Sequence, residues 1–161
     1  IIWSKYEIHC LMRKILKNIT IYSLGLFYLV IGIKHFTNLD FFLTIVPPYI
    51  PFPEFMVYTS GIFEILFGFL LILKNTRKYA ALGLIFLLIA VFPANIYLFK
   101  SEIAQNIYNI TRQQALIRLP FQIPLILIAY WHSKEKTSKE FDLICMIIFI
   151  PTMVYFLSLS L

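Results

Sequence analysis

The chain has 161 residues, 60% of them hydrophobic and 17% aromatic, with only 14% charged. Soluble domains run at about 45–50% apolar and about 25% charged residues, so this composition excludes an ordinary globular domain and leaves lipid as the main solvent. The formal charge of +6 does not indicate nucleic acid, because the lysines and arginines fall in short clusters between apolar runs, with no basic stripe carrying interleaved aromatics.

One unit is expected at this length, taken here from its N-terminal end. Ile1 stands where a starting Met would be, so the expectation is a fragment or processed product. Residues 1–18 mix Trp3, Ile8, Leu11, Ile15 and Leu16 with Lys5, Arg13, Lys14 and Lys17, the pattern of a basic segment lying on anionic headgroups. No small-residue cleavage site follows, so a signal peptide is not expected.

A spanning helix needs about 20 mostly apolar residues. Runs over 19–36, 55–73, 80–99 and 115–131 meet that need, the last interrupted by Arg118, Gln122, Pro120 and Pro124. A charged loop over 133–142 precedes a fifth run, 143–161, which is apolar apart from small hydroxyls. None of the runs alternates as barrel strands do. The predicted fold is therefore an all-α, polytopic transmembrane helical bundle.

Between the first two runs, residues 45–53 carry Pro47, Pro48, Pro51 and Pro53. Prolines remove backbone donors and extend the residue before them, so this stretch cannot be regular helix. Being apolar, it is expected to cap the bundle or to serve as a rigid connector. The five glycines, 25, 32, 61, 68 and 83, all fall within predicted spans. Gly25 and Gly32 are seven apart, as are Gly61 and Gly68, so each pair marks one helix face along which helices can approach closely.

With the N-terminus on the cytoplasmic side, ten basic residues lie at inner segments: Lys5, Arg13, Lys14, Lys17, Lys74, Arg77, Lys78, Lys134, Lys136 and Lys139. Four lie toward the outer side: Lys34, Lys100, Arg112 and Arg118. The positive-inside rule then predicts a cytoplasmic N-terminus.

Glu64 stands at the midpoint of 55–73, where an ionised side chain is costly unless it is paired, protonated or hydrated. Gly61, Glu64 and Gly68 share one helix face, so the acid points at a neighbouring helix. His35 ends the first run, and Asn95 lies roughly 6 Å inside the outer end of the third at 1.5 Å per residue. Arg118 and Gln122 sit on the outer side of the fourth. These five groups are expected to converge, with Glu64 and Arg118 partly neutralising each other. Two readings stay open: a ligand-binding site in which Glu64 exchanges a proton, or interhelical glue worth about 1 kcal/mol per group.

Much chemistry is excluded. His35 and His132 belong to opposite sides, against a bis-histidine haem, and no ligand triad suggests a metal. Cys10 and Cys145 form no C-x-x-C pair, which removes a thioredoxin-like motif and a cysteine zinc site. No phosphate-cradling loop, nucleophile elbow or dinucleotide fingerprint is present.

Five motifs, taken together, resemble a known family. Gly32-Ile-Lys-His-Phe36, Val46-Pro-Pro-Tyr49, Tyr58-Thr-Ser-Gly61 with Glu64-Ile-Leu-Phe-Gly68, Ala90-Val-Phe-Pro-Ala-Asn-Ile-Tyr97 and Arg118-Leu-Pro-Phe-Gln122 resemble, in this order, the DoxX family of small integral membrane proteins. The resemblance implies a four-helix unit over 19–132 in a bacterial inner membrane, with recurrent polar positions at His35, Glu64, Asn95, Arg118 and Gln122. The family takes its name from a membrane subunit of a thiosulfate:quinone oxidoreductase. It thus implies an accessory subunit of a quinone-linked redox complex, with a quinone as bound cofactor and a redox subunit as partner. A homo-oligomer is also compatible. A distant animal relative assists receptor assembly, so the alternative is a non-enzymatic assembly, scaffold or small-solute-handling protein with a structural polar core. Two features depart from the family: Asn38-Leu-Asp40 occupies a stretch that often holds a proline, and the fifth helix is additional.

Overall fold

The computed structural model describes residues 5–160, with side chains described from 7 to 158. Trp3, the side chain of Lys5 and Leu161, all part of the sequence expectations, lie outside the described residues. Among the described residues seven helices follow in order: α1 Lys5–Thr37, α2 Leu39–Leu43, α3 Pro53–Ile72, α4 Arg77–Lys100, α5 Glu102–Ile107, α6 Arg112–Ser133 and α7 Lys139–Ser160. Of these, α1, α3, α4, α6 and α7 are long and apolar enough to cross a membrane. The protein is an all-α helical bundle of five such helices, with its two longer connections (38–52 and 101–111) at one end and 73–76 and 134–138 at the other.

Three boundaries differ from the sequence reading. The basic N-terminal stretch is not separate over its described part, because α1 runs from Lys5 to Thr37 without a break. Nothing interrupts it: the stretch holds no proline, and its first glycine is Gly25. At 1.5 Å per residue, 33 residues make a rod of about 50 Å, well beyond the roughly 30 Å of a hydrocarbon core. The charged loop is shorter than expected, because the Ser138 hydroxyl accepts the Phe141 N–H at 3.2 Å and starts α7 at Lys139. Lastly, α2 and α5, of five and six residues, are too short to leave a periodic signature.

The proline segment is irregular, as its sequence requires. Pro53 is the first residue of α3, and Phe52 before it takes a left-handed conformation (φ 53°) that turns the chain into the helix. At α6, Thr111 and Gln114 form a reciprocal capping box.

Glycines set the closest approach. A methyl group on Gly25 would lie 2.9 Å from the Gly68 carbonyl oxygen, and one on Gly32 would lie 2.8 Å from that of Gly61. Antiparallel α1 and α3 thus touch backbone to backbone at both ends of a seven-residue repeat. Gly83 of α4 accepts the Phe67 ring in the same way, a methyl there lying 2.5 Å from Cζ. Ile21, Leu24, Leu71, Ala81, Leu84 and Ile128 form the centre of the core, and Phe149, Met153 and Phe156 bring α7 into it.

A polar node fastens α7 at the end carrying 134–138. Asp142 Oδ1 accepts from Trp131 Nε1 at 2.7 Å and from the Thr137 hydroxyl. Its Oδ2 lies 3.5 Å from an Arg13 guanidinium nitrogen. Beside it, Lys17 Nζ donates to the Lys134 carbonyl at 2.8 Å, and Thr20 Oγ1 lies 3.0 Å from His132 Nε2. Polar side chains of α1, α6 and α7 meet there.

Candidate functional site

A cavity of about 360 Å³ lies among α1, α3, α4 and α6. The segment after α2 closes its end, with Ile45 and Pro47 buried beneath the exposed Tyr49 and Phe52. Its walls are mostly apolar, with a few polar groups set into them, the general form of a small-molecule site. The five polar residues singled out from the sequence, His35, Glu64, Asn95, Arg118 and Gln122, all line it.

They fall into two unlike groups. On one side Asn95 Nδ2 donates to Gln122 Oε1 at 2.9 Å, and Gln122 Nε2 donates in turn to the Leu88 carbonyl. Pro93 offers no N–H, which leaves the Ile89 carbonyl without its helical donor. Gln122 bonds the carbonyl one residue before it and ties α6 to α4.

On the other side the polar groups remain under-satisfied. His35 Nδ1 lies 2.9 Å from the Ile31 carbonyl oxygen and 3.1 Å from Glu64 Oε2. With the proton on Nδ1, the N–H is directed along the helix to Ile31, and Oε2 touches the nitrogen without receiving its hydrogen. Buried Glu64 Oε2 has no hydrogen-bond partner among the described residues. The same holds for Arg118 Nε. Buried polar atoms are normally bonded; these two, one on α3 and one on α6, both belong to residues that line the cavity.

Among the described residues no ion pair joins Glu64 to Arg118 directly; the basic group nearest the carboxylate is His35. Helix approach explains the difference. A methyl on Gly61 would lie 2.6 Å from His35 Cβ, so the absence of a side chain at 61 lets His35 reach Glu64 first. Arg118 instead holds its guanidinium over the Phe156 ring of α7, 5.9 Å from the centroid.

Several neighbours were not legible beforehand. Phe42 of α2 stacks on the His35 ring at 3.7 Å and 22°, fixing its plane. Phe156 belongs to a helix outside the four-helix unit, and no local pattern linked it to Arg118. Tyr108, beyond the spans, stacks on Phe41 at 3.7 Å. Its hydroxyl is buried with no hydrogen-bond partner among the described residues, and burial pushes that phenol above its ordinary range, against the opposing pull of Arg118. Among the described residues, no group of three His, Cys, Asp or Glu side chains is placed to hold a metal ion.

What the arrangement offers is donation and acceptance in an apolar slot. Arg118 can donate to a carbonyl oxygen, and Glu64 can accept from a hydroxyl or carry a proton. Residues 24–133 match the family described as a domain of unknown function (DUF8561). No curated protein and no solved structure matches the chain. The match takes in all five polar residues and ends on the last residue of α6, leaving α7 outside. Since it covers more than half of the sequence, the chain belongs to the DUF8561 family.

Proposed function

We propose that this is a multi-pass protein of a bacterial inner membrane, N-terminus cytoplasmic, that binds a quinone in the polar cavity as an accessory subunit of a membrane redox complex. The observation carrying this reading is a pair of buried polar atoms that receive or make no hydrogen bond among the described residues, Glu64 Oε2 and Arg118 Nε, on one mostly apolar cavity of about 360 Å³. A quinone has a flat apolar ring with carbonyl oxygens on its edge, and it suits a slot that is apolar except for such groups. The resemblance to DoxX proteins supports the same ligand class. Arg118 would donate to a ring oxygen, and Glu64 would exchange the proton that accompanies electron transfer. The electrons would come from a partner subunit.

Mass spectrometry of lipid-soluble molecules that co-purify in mild detergent tests this. Near-stoichiometric quinone is expected with the wild-type protein, and little with folded Glu64→Gln or Arg118→Leu. Wild-type protein free of quinone overturns the reading.

One observation favours a second reading, a non-enzymatic assembly or scaffold protein: Asn95, Gln122 and the Leu88 carbonyl form a chain of hydrogen bonds between α4 and α6, as structural glue would. Under that reading, substitutions at Glu64 and Arg118 lower abundance and nothing else.

A further inference from the structure

The cavity is not closed all round, and its opening lies in a specific place. Of all the side chains that line it, three are exposed: Met56, Phe63 and Ala90. Met56 and Phe63 lie on α3 and Ala90 on α4. Along the other seams the lining residues are buried or half-buried. Backbone contacts at Gly25 and Gly68 and at Gly32 and Gly61 close α1 against α3. The Asn95–Gln122 bond and the Gln122 bond to Leu88 close α4 against α6. Between α3 and α4 the closure is one-ended. Phe67 packs into the notch at Gly83 near their connection, while farther along the opposing residues are the small Ala90 and Ala94 beside Thr59 and Ser60.

The opening therefore faces lipid rather than water. Phe63 and Ala90 stand near the middle of α3 and α4. From Phe63 to Met56 the gap runs about 10 Å along the helix, at 1.5 Å per residue. A ligand using it must already be dissolved in the hydrocarbon, and any part too long for the cavity would remain among acyl chains.

We infer that a quinone reaches this cavity sideways from the bilayer, through the mouth between α3 and α4, with its ring at Glu64 and Arg118 and its hydrocarbon tail lying in the mouth. The inference rests on the quinone reading and adds a substrate feature to it: the tail is part of what is recognised. A second apolar depression, between α4 and α6 around Ile89, Phe92 and Ile123, shares only Gln122 with the cavity. It is the competing route.

The test uses the full chain in lipid nanodiscs and two probes, a benzoquinone with a decyl tail and the same ring without one. Ala90→Phe fills the mouth at a lipid-facing position, where an aromatic ring is compatible with the fold. Ile89→Phe adds bulk at the neighbouring residue but narrows the other depression. Ala90→Phe is expected to weaken binding of the tailed probe about tenfold or more, since the tail loses its apolar burial, and that of the ring alone far less. Ile89→Phe is expected to change neither. Unaltered binding of the tailed probe by Ala90→Phe, an equal loss of both probes, or a loss with Ile89→Phe instead overturns the lateral mouth while leaving the quinone reading intact. Wild-type protein that binds neither probe overturns the quinone reading, and this inference with it.

Discussion

Gly61 and His35 occupy one space: a methyl group added to Gly61 would lie 2.6 Å from His35 Cβ and 3.1 Å from Cγ. The same missing side chain brings α1 against α3 and sets the His35 ring beside Glu64. Helix packing and the composition of the cavity wall are thus one feature.

Gly61→Ala is therefore expected to cost about 1–3 kcal/mol, the usual range for overpacking a close contact. Gly83→Ala is a sharp comparison. The group it meets is the end of a Phe67 side chain, which can swing aside, so its cost should stay below about 1 kcal/mol. Reversible unfolding in mixed micelles measures both, and equal costs would contradict the assignment.

The Asp142 node separates hydrogen bonding from charge. Asp142→Asn keeps an acceptor for Trp131 Nε1 and loses only the loose contact with Arg13, so it should cost less than about 1 kcal/mol. Asp142→Ala strands the indole N–H of Trp131, which is fully buried, and should cost about 1–3 kcal/mol. The same unfolding assay checks the order. Greater harm from Asn than from Ala would mean that charge governs this node.

Asn95 and Gln122 should behave as a coupled pair. A double-mutant cycle with Asn95→Ala and Gln122→Ala is expected to give a coupling energy of about 0.6–1.7 kcal/mol, the range for interhelical hydrogen bonds in membranes. Additive losses would show that the bond contributes nothing to stability.

The proposed orientation has a chemical readout. Cys10 is exposed and Cys145 buried. An impermeant maleimide should label Cys10 only when given access to the cytoplasmic side, and should leave Cys145 unmodified until the protein unfolds. Labelling of Cys10 from the opposite side would reverse the topology.

The spans were legible because each is a long apolar run, and length is what a bilayer demands. The glycine faces were legible for a similar reason, since a seven-residue spacing returns to one side of a helix. The partner of Glu64 was not. Depth along the chain placed Arg118 within plausible reach, but contact depends on helix rotation and separation, which Gly61 and Gly32 set together from two helices. Phe42 and Phe156 were hidden for a related reason. The first sits on a helix of one turn and the second on a span whose middle is apolar apart from small hydroxyls. The opening between α3 and α4 is a gap left by several small side chains, and no single residue announces a gap.

The polar node at Asp142 also bears on how the protein is made. Arg13, Trp131 and Thr137 all precede Asp142 in the chain, so during synthesis they emerge before their common acceptor does. Until α7 folds onto the bundle, the indole N–H of Trp131 lacks its Asp142 acceptor. Helix α7 then works as a latch, and a nascent chain arrested before it would lack the bonds that gather Arg13, Trp131 and Thr137 on one carboxylate.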